Sequence, residues 1–222
     1  MIPNMNPIQI DRKRLSEMVW QIIDERVNDY PFEKIENIVE DQQALRAQAD
    51  YNTGSLSVEA AFELYKVVKF FQPKVIAEVG TFIGVSTMVM DLATAETAKI
   101  RTCDVSNRIY LPLFGNEDLR VEQYFHTPSH EMFAEMAKEK VKVDLVYLDG
   151  RLSKQDEEPL NKIIHDKTVF VMDDFEGTEK GVANAMMLES PGRVLIYPRH
   201  HGGKTAMSIP LSLLQVVAQE AV

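Results

Sequence analysis

Between Lys74 and Asp174, short apolar runs alternate with helical patterns, and that rhythm limits the fold more than any other feature of the chain. The runs are KVIAEV (74–79), KIRTCD (99–104), DLRVEQYF (118–125), VDLVYLD (143–149) and TVFVMDD (168–174). Helical periodicity fills about 85–94, 129–140, 156–165 and 179–188. Such alternation predicts a parallel sheet with helices on both faces. The end of the chain breaks the rhythm. RVLIYP (193–198) and TAMSIP (205–210) are joined through RHHGGK with no helical stretch between them. That pattern reads as a hairpin, so one edge strand is expected to run antiparallel.

Ahead of the alternation, residues 1–10 hold two prolines and no period. From Asp11 to about Val27 the residues Leu15, Met18, Val19 and Ile22 recur at helical spacing. Pro31 opens a second stretch with Phe32, Ile35, Ile38 and Val39 on one face. Asp50–Ser57 reads as a loop. A helix then runs to Phe71, with Ala61, Leu64, Val68 and Phe71 on its buried stripe, and Pro73 ends it. The expected division is an N-terminal helical cap over 1–50 and a ligand-binding domain over 51–222.

Charge and cysteine content narrow the partners. A net charge of −10 over 222 residues argues against a nucleic-acid binder, whose affinity comes largely from phosphate neutralisation. The single cysteine, Cys103, allows no intrachain disulfide and suits a reducing compartment. No run approaches 18 uninterrupted apolar residues, and MIPNMNPIQIDRKR lacks an apolar signal core. The expectation is a cytoplasmic protein with neither membrane nor nucleic acid as partner.

Open parallel sheets bind ligands outside the carboxyl ends of their strands. The first strand ends at Glu78–Val79, and the loop after it is GTFIG (80–84). Gly80 allows close approach of a ligand, and Gly84 permits the turn into a helix whose first amides face the site. The dinucleotide fingerprint G-x-G-x-x-G is not met, because Phe82 stands where the second glycine belongs. Asp104 ends the second strand, 20 residues past Gly84, where an acid can accept from both hydroxyls of a ribose. A plain glycine turn and a strand-end acid remain the alternative. Glu78 is the oddity: a carboxylate in an apolar strand is costly unless something pairs with it.

The stretch EVGTFIGVST resembles the first motif of the class I S-adenosylmethionine-dependent methyltransferases, and CDVS (103–106) resembles their ribose-binding acid. The resemblance covers about residues 50–210. It implies a Rossmann-like α/β fold with a seven-stranded, mostly parallel sheet and an antiparallel C-terminal hairpin. It further implies that Glu78, Gly80, Thr81, Ile83 and Gly84 line the methionine and ribose part of S-adenosylmethionine, with Ser86 and Thr87 opening the next helix and Asp104 on the ribose. Glu78 would face the amino-acid end of the cofactor through an amide or a water. TPSHEMF (127–133) is similar to the family's adenine turn, with Ser129 as the contact. Ser55, in the loop before the helix that leads into the first strand, corresponds to the region used for the cofactor carboxylate.

VYLDG ends in Asp149 and VFVMDD in Asp173 and Asp174. Three carboxylates converging at the ligand edge repel one another without a cation, and an oxygen-rich set suits Mg²⁺ first. Helix caps and loop acids are the alternative. The pattern resembles the small metal-dependent O-methyltransferases, namely the catechol and caffeoyl-coenzyme A type and the macrocin and sugar group. By that resemblance Asp149, Asp173 and Asp174 hold the ion, which activates a hydroxyl of a small acceptor. Asp149 also belongs to the cofactor site. One departure stands out: Arg151 and Leu152 occupy the places where the family often carries a base. Arg151 stays protonated, so it serves an anionic substrate better than it serves as base. Lys154 is the other catalytic candidate. The reading is an S-adenosylmethionine-dependent O-methyltransferase, with a homodimer expected from the apolar face of the first helix. Three rivals remain: a metal-independent methyltransferase, a nicotinamide oxidoreductase disfavoured by Phe82, and a catalytically silent ligand-binding protein of the same fold.

Overall fold

A computed structural model describes residues 11–46, 55–106, 120–175, 178, 180–200 and 203–214. The chain opens with three helices, α1 (Arg12–Arg26), α2 (Phe32–Arg46) and α3 (Val58–Phe71). Asp11 caps α1 by accepting from the amides of Lys13 and Arg14, and Ser57 caps α3 by accepting from that of Ala60. Gln72 closes α3 in the left-handed region, φ 47°, one residue before Pro73. The alternating part follows as β1 (Val75–Val79), α4 (Val85–Ala93), β2 (Lys99–Asp104), β3 (Val121–Phe125), α5 (Ser129–Lys138), β4 (Leu145–Leu148), α6 (Glu157–Ile163), β5 (Val169–Met172) and α7 (Gly181–Met187). The hairpin strands are β6 (Arg193–Ile196) and β7 (Ala206–Pro210).

The seven strands lie in the order β3-β2-β1-β4-β5-β7-β6. The pairs from β3 through β5 are parallel, while β7 runs antiparallel to both β5 and β6. The expected hairpin is present, but its antiparallel strand is β7 and not the edge strand. The inner position leaves every residue of β7 buried, whereas Arg193, Val194 and Leu195 of β6 are only partly so.

Strand residues alternate between two cores. Ile76, Ile100, Leu145, Tyr147, Val169 and Val171 pack with α1–α4 on one face. Ala77, Val79, Cys103, Val146, Leu148, Phe170 and Met172 pack with α5–α7 on the other. The cap helices belong to the first core, through Val19, Trp20, Ile23, Ile35 and Val39.

The buried stripe of α1 is Ser16, Val19, Trp20 and Ile23, while Met18 is 49% exposed. The face anticipated from Leu15, Met18, Val19 and Ile22 is thus rotated by about one residue. Two polar contacts set that rotation. Trp20 Nε1 donates to the Tyr197 carbonyl at 2.8 Å, and the Tyr197 amide donates to Ser16 Oγ at 2.9 Å. Helix α1 thereby covers backbone groups just past the end of edge strand β6 that would otherwise invite another strand. The apolar face of α1 is used within the chain. Among the described residues no helix is long and apolar enough to cross a membrane.

Candidate functional site

Strand order reverses around β1: β2 lies on one side and β4 on the other, so the loops after β1 and β4 flank a crevice at the carboxyl edge. A cavity of about 440 Å³ opens there, within the roughly 300–1,000 Å³ usual for small-molecule sites. Gly80, Phe82, Asp104, Ser129, Asp149 and Arg151 are among its lining residues. The two loops touch closely. Gly80 has φ +99°, and a Cβ there would lie 3.1 Å from the Asp149 carbonyl carbon and from the Gly150 nitrogen. A Cβ on Gly150 would lie 2.7 Å from Val79 Cγ1. Glycine at both places lets the floor of the cavity close.

Asp104 leaves the end of β2 half-exposed on the cavity wall. Its Oδ2 accepts from the Phe82 amide at 2.9 Å and its Oδ1 from the Ser106 amide at 2.8 Å. The carboxylate is thus fixed by backbone on both oxygens while each keeps a lone pair for a ligand hydroxyl. Phe82 sits at φ 42° and itself lines the cavity. Ser129, the first residue of α5, is buried and donates to Asp156 Oδ1, and Asp156 also accepts from the amide and hydroxyl of Ser153.

Other residues of the glycine motif are turned away from the cavity. Glu78 is fully buried on the α1–α4 face. Its two oxygens accept from Ser86 Oγ and Thr87 Oγ1, both at 2.5 Å. Burial pushes its carboxyl up to about 7, against the pull of the hydroxyls. Ser86 and Thr87 lie in the first turn of α4, so Glu78 ties that helix to β1. Thr81 Oγ1 meets Thr102 Oγ1 in the interior, and Ile83 is 1% exposed in the same core. Gly84, φ +78°, is the N-cap of α4. Ser55 is half-buried and lies outside the residues lining this cavity. Asn52 to Gly54 fall outside the described residues.

At the far wall the acids gather. Asp149, Asp173 and Asp174 each offer an oxygen, all within 4.8 Å of one another. Asp173 is 6% exposed and its Oδ1 has no hydrogen-bond partner. Burial, and then the charges of Asp149 and Asp174, raise Asp173 to about 7; burial also raises Asp149 to about 6. A cation is already present. Lys180 Nζ lies 2.8 Å from Asp149 Oδ1 and 3.0 Å from Asp174 Oδ2, and Lys204 Nζ lies 3.6 Å from Asp174 Oδ1. Against the effect of burial, these lysines hold Asp174 below the usual carboxylate range. Lys180 immediately precedes α7, seven residues past Asp173, a separation at which sequence spacing gives no sign of contact. Its position is set by Gly181, where a Cβ would lie 2.3 Å from Phe175 Cα. Asn184, buried on α7, donates to the Gly150 carbonyl and accepts from the Leu152 amide, both at 2.9 Å, and so fixes the β4 loop. Arg151 is exposed at the cavity wall; Lys154 is exposed in a short 3₁₀ turn and does not line it; Leu152 is buried.

The donor set fits a hard cation: three carboxylates within reach and one orphaned buried oxygen. A divalent ion at this place would compete with Lys180 for Asp149 and Asp174.

No protein-family model matches the chain, and no curated protein matches it. Solved structures do. A methyltransferase from Geobacter sulfurreducens matches with TM-score 0.61 and 12% identity, over 87% of this chain and 96% of that one. The O-methyltransferase from Bacillus cereus in complex with S-adenosylhomocysteine matches with TM-score 0.58 and 16% identity, over 87% and 97%. An S-adenosylhomocysteine-bound methyltransferase of Podospora anserina matches with TM-score 0.57 and 14% identity, over 89% and 96%. At such identities the likeness speaks for architecture, and with the strand order above it leads to one conclusion: the chain has the Rossmann-like fold of the class I methyltransferases.

Proposed function

We propose that the protein is an S-adenosylmethionine-dependent methyltransferase that methylates a hydroxyl of a small molecule. The observation that carries this reading is Asp104, clamped by two backbone amides on the wall of the switch-point cavity that Asp149 and Gly80 also line. The bound S-adenosylhomocysteine of the Bacillus cereus and Podospora anserina structures supports the choice of cofactor. Asp104 binds the ribose hydroxyls, Gly80 gives the backbone access to the cofactor, and Ser129 borders the adenine end. In the transfer, the carbon–sulfur bond of the sulfonium breaks as the carbon–oxygen bond forms. The electron pair returns to sulfur, leaving neutral S-adenosylhomocysteine. The hydroxyl proton passes to the carboxylate cluster, since Arg151 remains protonated and Leu152 is buried hydrocarbon.

Two accounts of the cluster differ in its cation. In the first, Asp149, Asp173 and Asp174 hold Mg²⁺ or a similar ion; such an ion lowers the pKa of a bound hydroxyl. The orphaned Asp173 oxygen favours it. In the second, Lys180 is the resident cation and the enzyme needs no metal; its contacts with Asp149 and Asp174 favour that. The function is tested by following S-adenosylhomocysteine release from S-adenosylmethionine across a panel of phenols and polyols. Release that depends on a hydroxylated acceptor supports the reading. S-adenosylmethionine binding with transfer to thiols or amines alone would reject the O-methylation part. Titrating EDTA-treated protein with Mn²⁺ decides the cation: stoichiometric binding, lost in Asp173→Ala, supports the first account, and no binding supports the second.

A further inference from the structure

A larger cavity, about 600 Å³, lies away from the cofactor crevice, between α7 and β6 on the α5–α7 face of the sheet. Its walls are largely apolar and include Phe175, Val182, Ala185, Leu188 and Leu195. Arg193 lines the same space. This guanidinium lies over the Phe170 ring, 4.7 Å from the centroid. Its Nε donates to Ser208 Oγ at 2.9 Å, and its Nη2 to the carbonyls of Thr168 at 2.8 Å and Ser208 at 2.6 Å. Those bonds fix the fork but use neutral acceptors. Nη1 makes no hydrogen bond to a described residue, and Arg193 pairs with no carboxylate among them. Burial alone pulls its pKa down, to about 10, so it stays charged at neutral pH. Arg12 and Glu189, both exposed, also line the cavity.

A fixed arginine with no counter-charge among the described residues, beside an apolar cavity, is incomplete in one particular way. An oxyanion meets the Nη1 edge through a charge-assisted hydrogen bond, and a hydrocarbon body fills the walls. We propose that this cavity is a second small-molecule site, distinct from the cofactor crevice, that binds an apolar body carrying one carboxylate or comparable anion. Helix α7 separates the two sites: Lys180, just before it, faces the acid cluster, while Val182, Ala185 and Met186 face the second cavity.

Calorimetric titration with phenylbutyrate and with the uncharged phenylbutanol tests this. The expected result is one site for phenylbutyrate, with phenylbutanol at least about tenfold weaker. Arg193→Met should bring the two affinities together. Because that change also removes three internal hydrogen bonds, Ala185→Trp provides the second variant: it fills the cavity from the half-buried face of α7 and should abolish both. Absence of phenylbutyrate binding, equal affinity for acid and alcohol, or binding that survives Ala185→Trp would each overturn the assignment.

Discussion

Two turns at the same edge of the sheet handle acids in opposite ways. Near the end of β1, Glu78 is fully buried and accepts from the Ser86 and Thr87 hydroxyls. After β5, Asp173 and Asp174 join Asp149 beside the cavity, where one lysine bridges two of the three and one buried oxygen has no partner. The first arrangement is complete and the second is not. Burial does not separate the two, since Glu78 is the more buried. The unpartnered Asp173 oxygen does.

The largest expected effect tests what both turns share. Glu78 and Asp173 titrate near 7 and Asp149 near 6 in the folded chain, all above their ordinary values. The folded state therefore holds protons that the unfolded chain has already released. This stabilisation is present below about pH 4 and is lost as pH rises through 6 to 7. The cofactor-free protein should melt several degrees higher at pH 5 than at pH 8, and Glu78→Gln should remove Glu78's share, up to about 3 kcal/mol. A melting temperature that climbs from pH 5 to pH 8 would reverse the assignment of sign. Next in size, Glu78→Ala at pH 5 should cost about 3 kcal/mol in denaturant unfolding, because the Ser86 and Thr87 hydroxyls lose their acceptor and a cavity remains. A loss below about 1 kcal/mol would mean that α4 does not depend on this acid.

The second turn should respond differently. Gly181→Ala places a Cβ 2.3 Å from Phe175 Cα, so backbone must move, at about 2 kcal/mol. Lys180 should shift with it, and a crystal structure of the variant with the Lys180–Asp149 contact unchanged would contradict that coupling. Asp173→Asn should raise the stability of the cofactor-free protein at pH 8 by about 1 kcal/mol, since it removes a buried charge that faces two other carboxylates and has an unpartnered Oδ1. Thermal melts that fall instead would show that Asp173 is satisfied in solution.

The architecture was legible because it rests on local periodicity: the run at Val75–Val79 is apolar except for Glu78 and that at Leu145–Leu148 has no charged residue, as doubly covered strands require. The position of β7 was not legible, because a hairpin signal does not say which strand turns inward. The α1 stripe was misjudged since its orientation is set by Trp20 and Ser16 bonding to Tyr197, a contact across nearly the whole chain. In the site, Asp104, Asp149 and the Asp173–Asp174 pair were readable from strand ends alone. Lys180 and Asn184 were not, because their roles depend on how the chain after β5 folds back toward the β4 loop. Glu78 drew notice for the right physical reason, a buried charge, but its partners are hydroxyls six and seven residues past Gly80, on α4 inside the protein.

The central claim is that the crevice around Asp104 is an S-adenosylmethionine site. Calorimetric titration with S-adenosylhomocysteine, set beside the same titration with NAD, tests it most directly. The account predicts one S-adenosylhomocysteine per chain, weakened about tenfold or more by Asp104→Ala at unchanged melting temperature, and little or no heat with NAD. Heat with NAD and none with S-adenosylhomocysteine would contradict it.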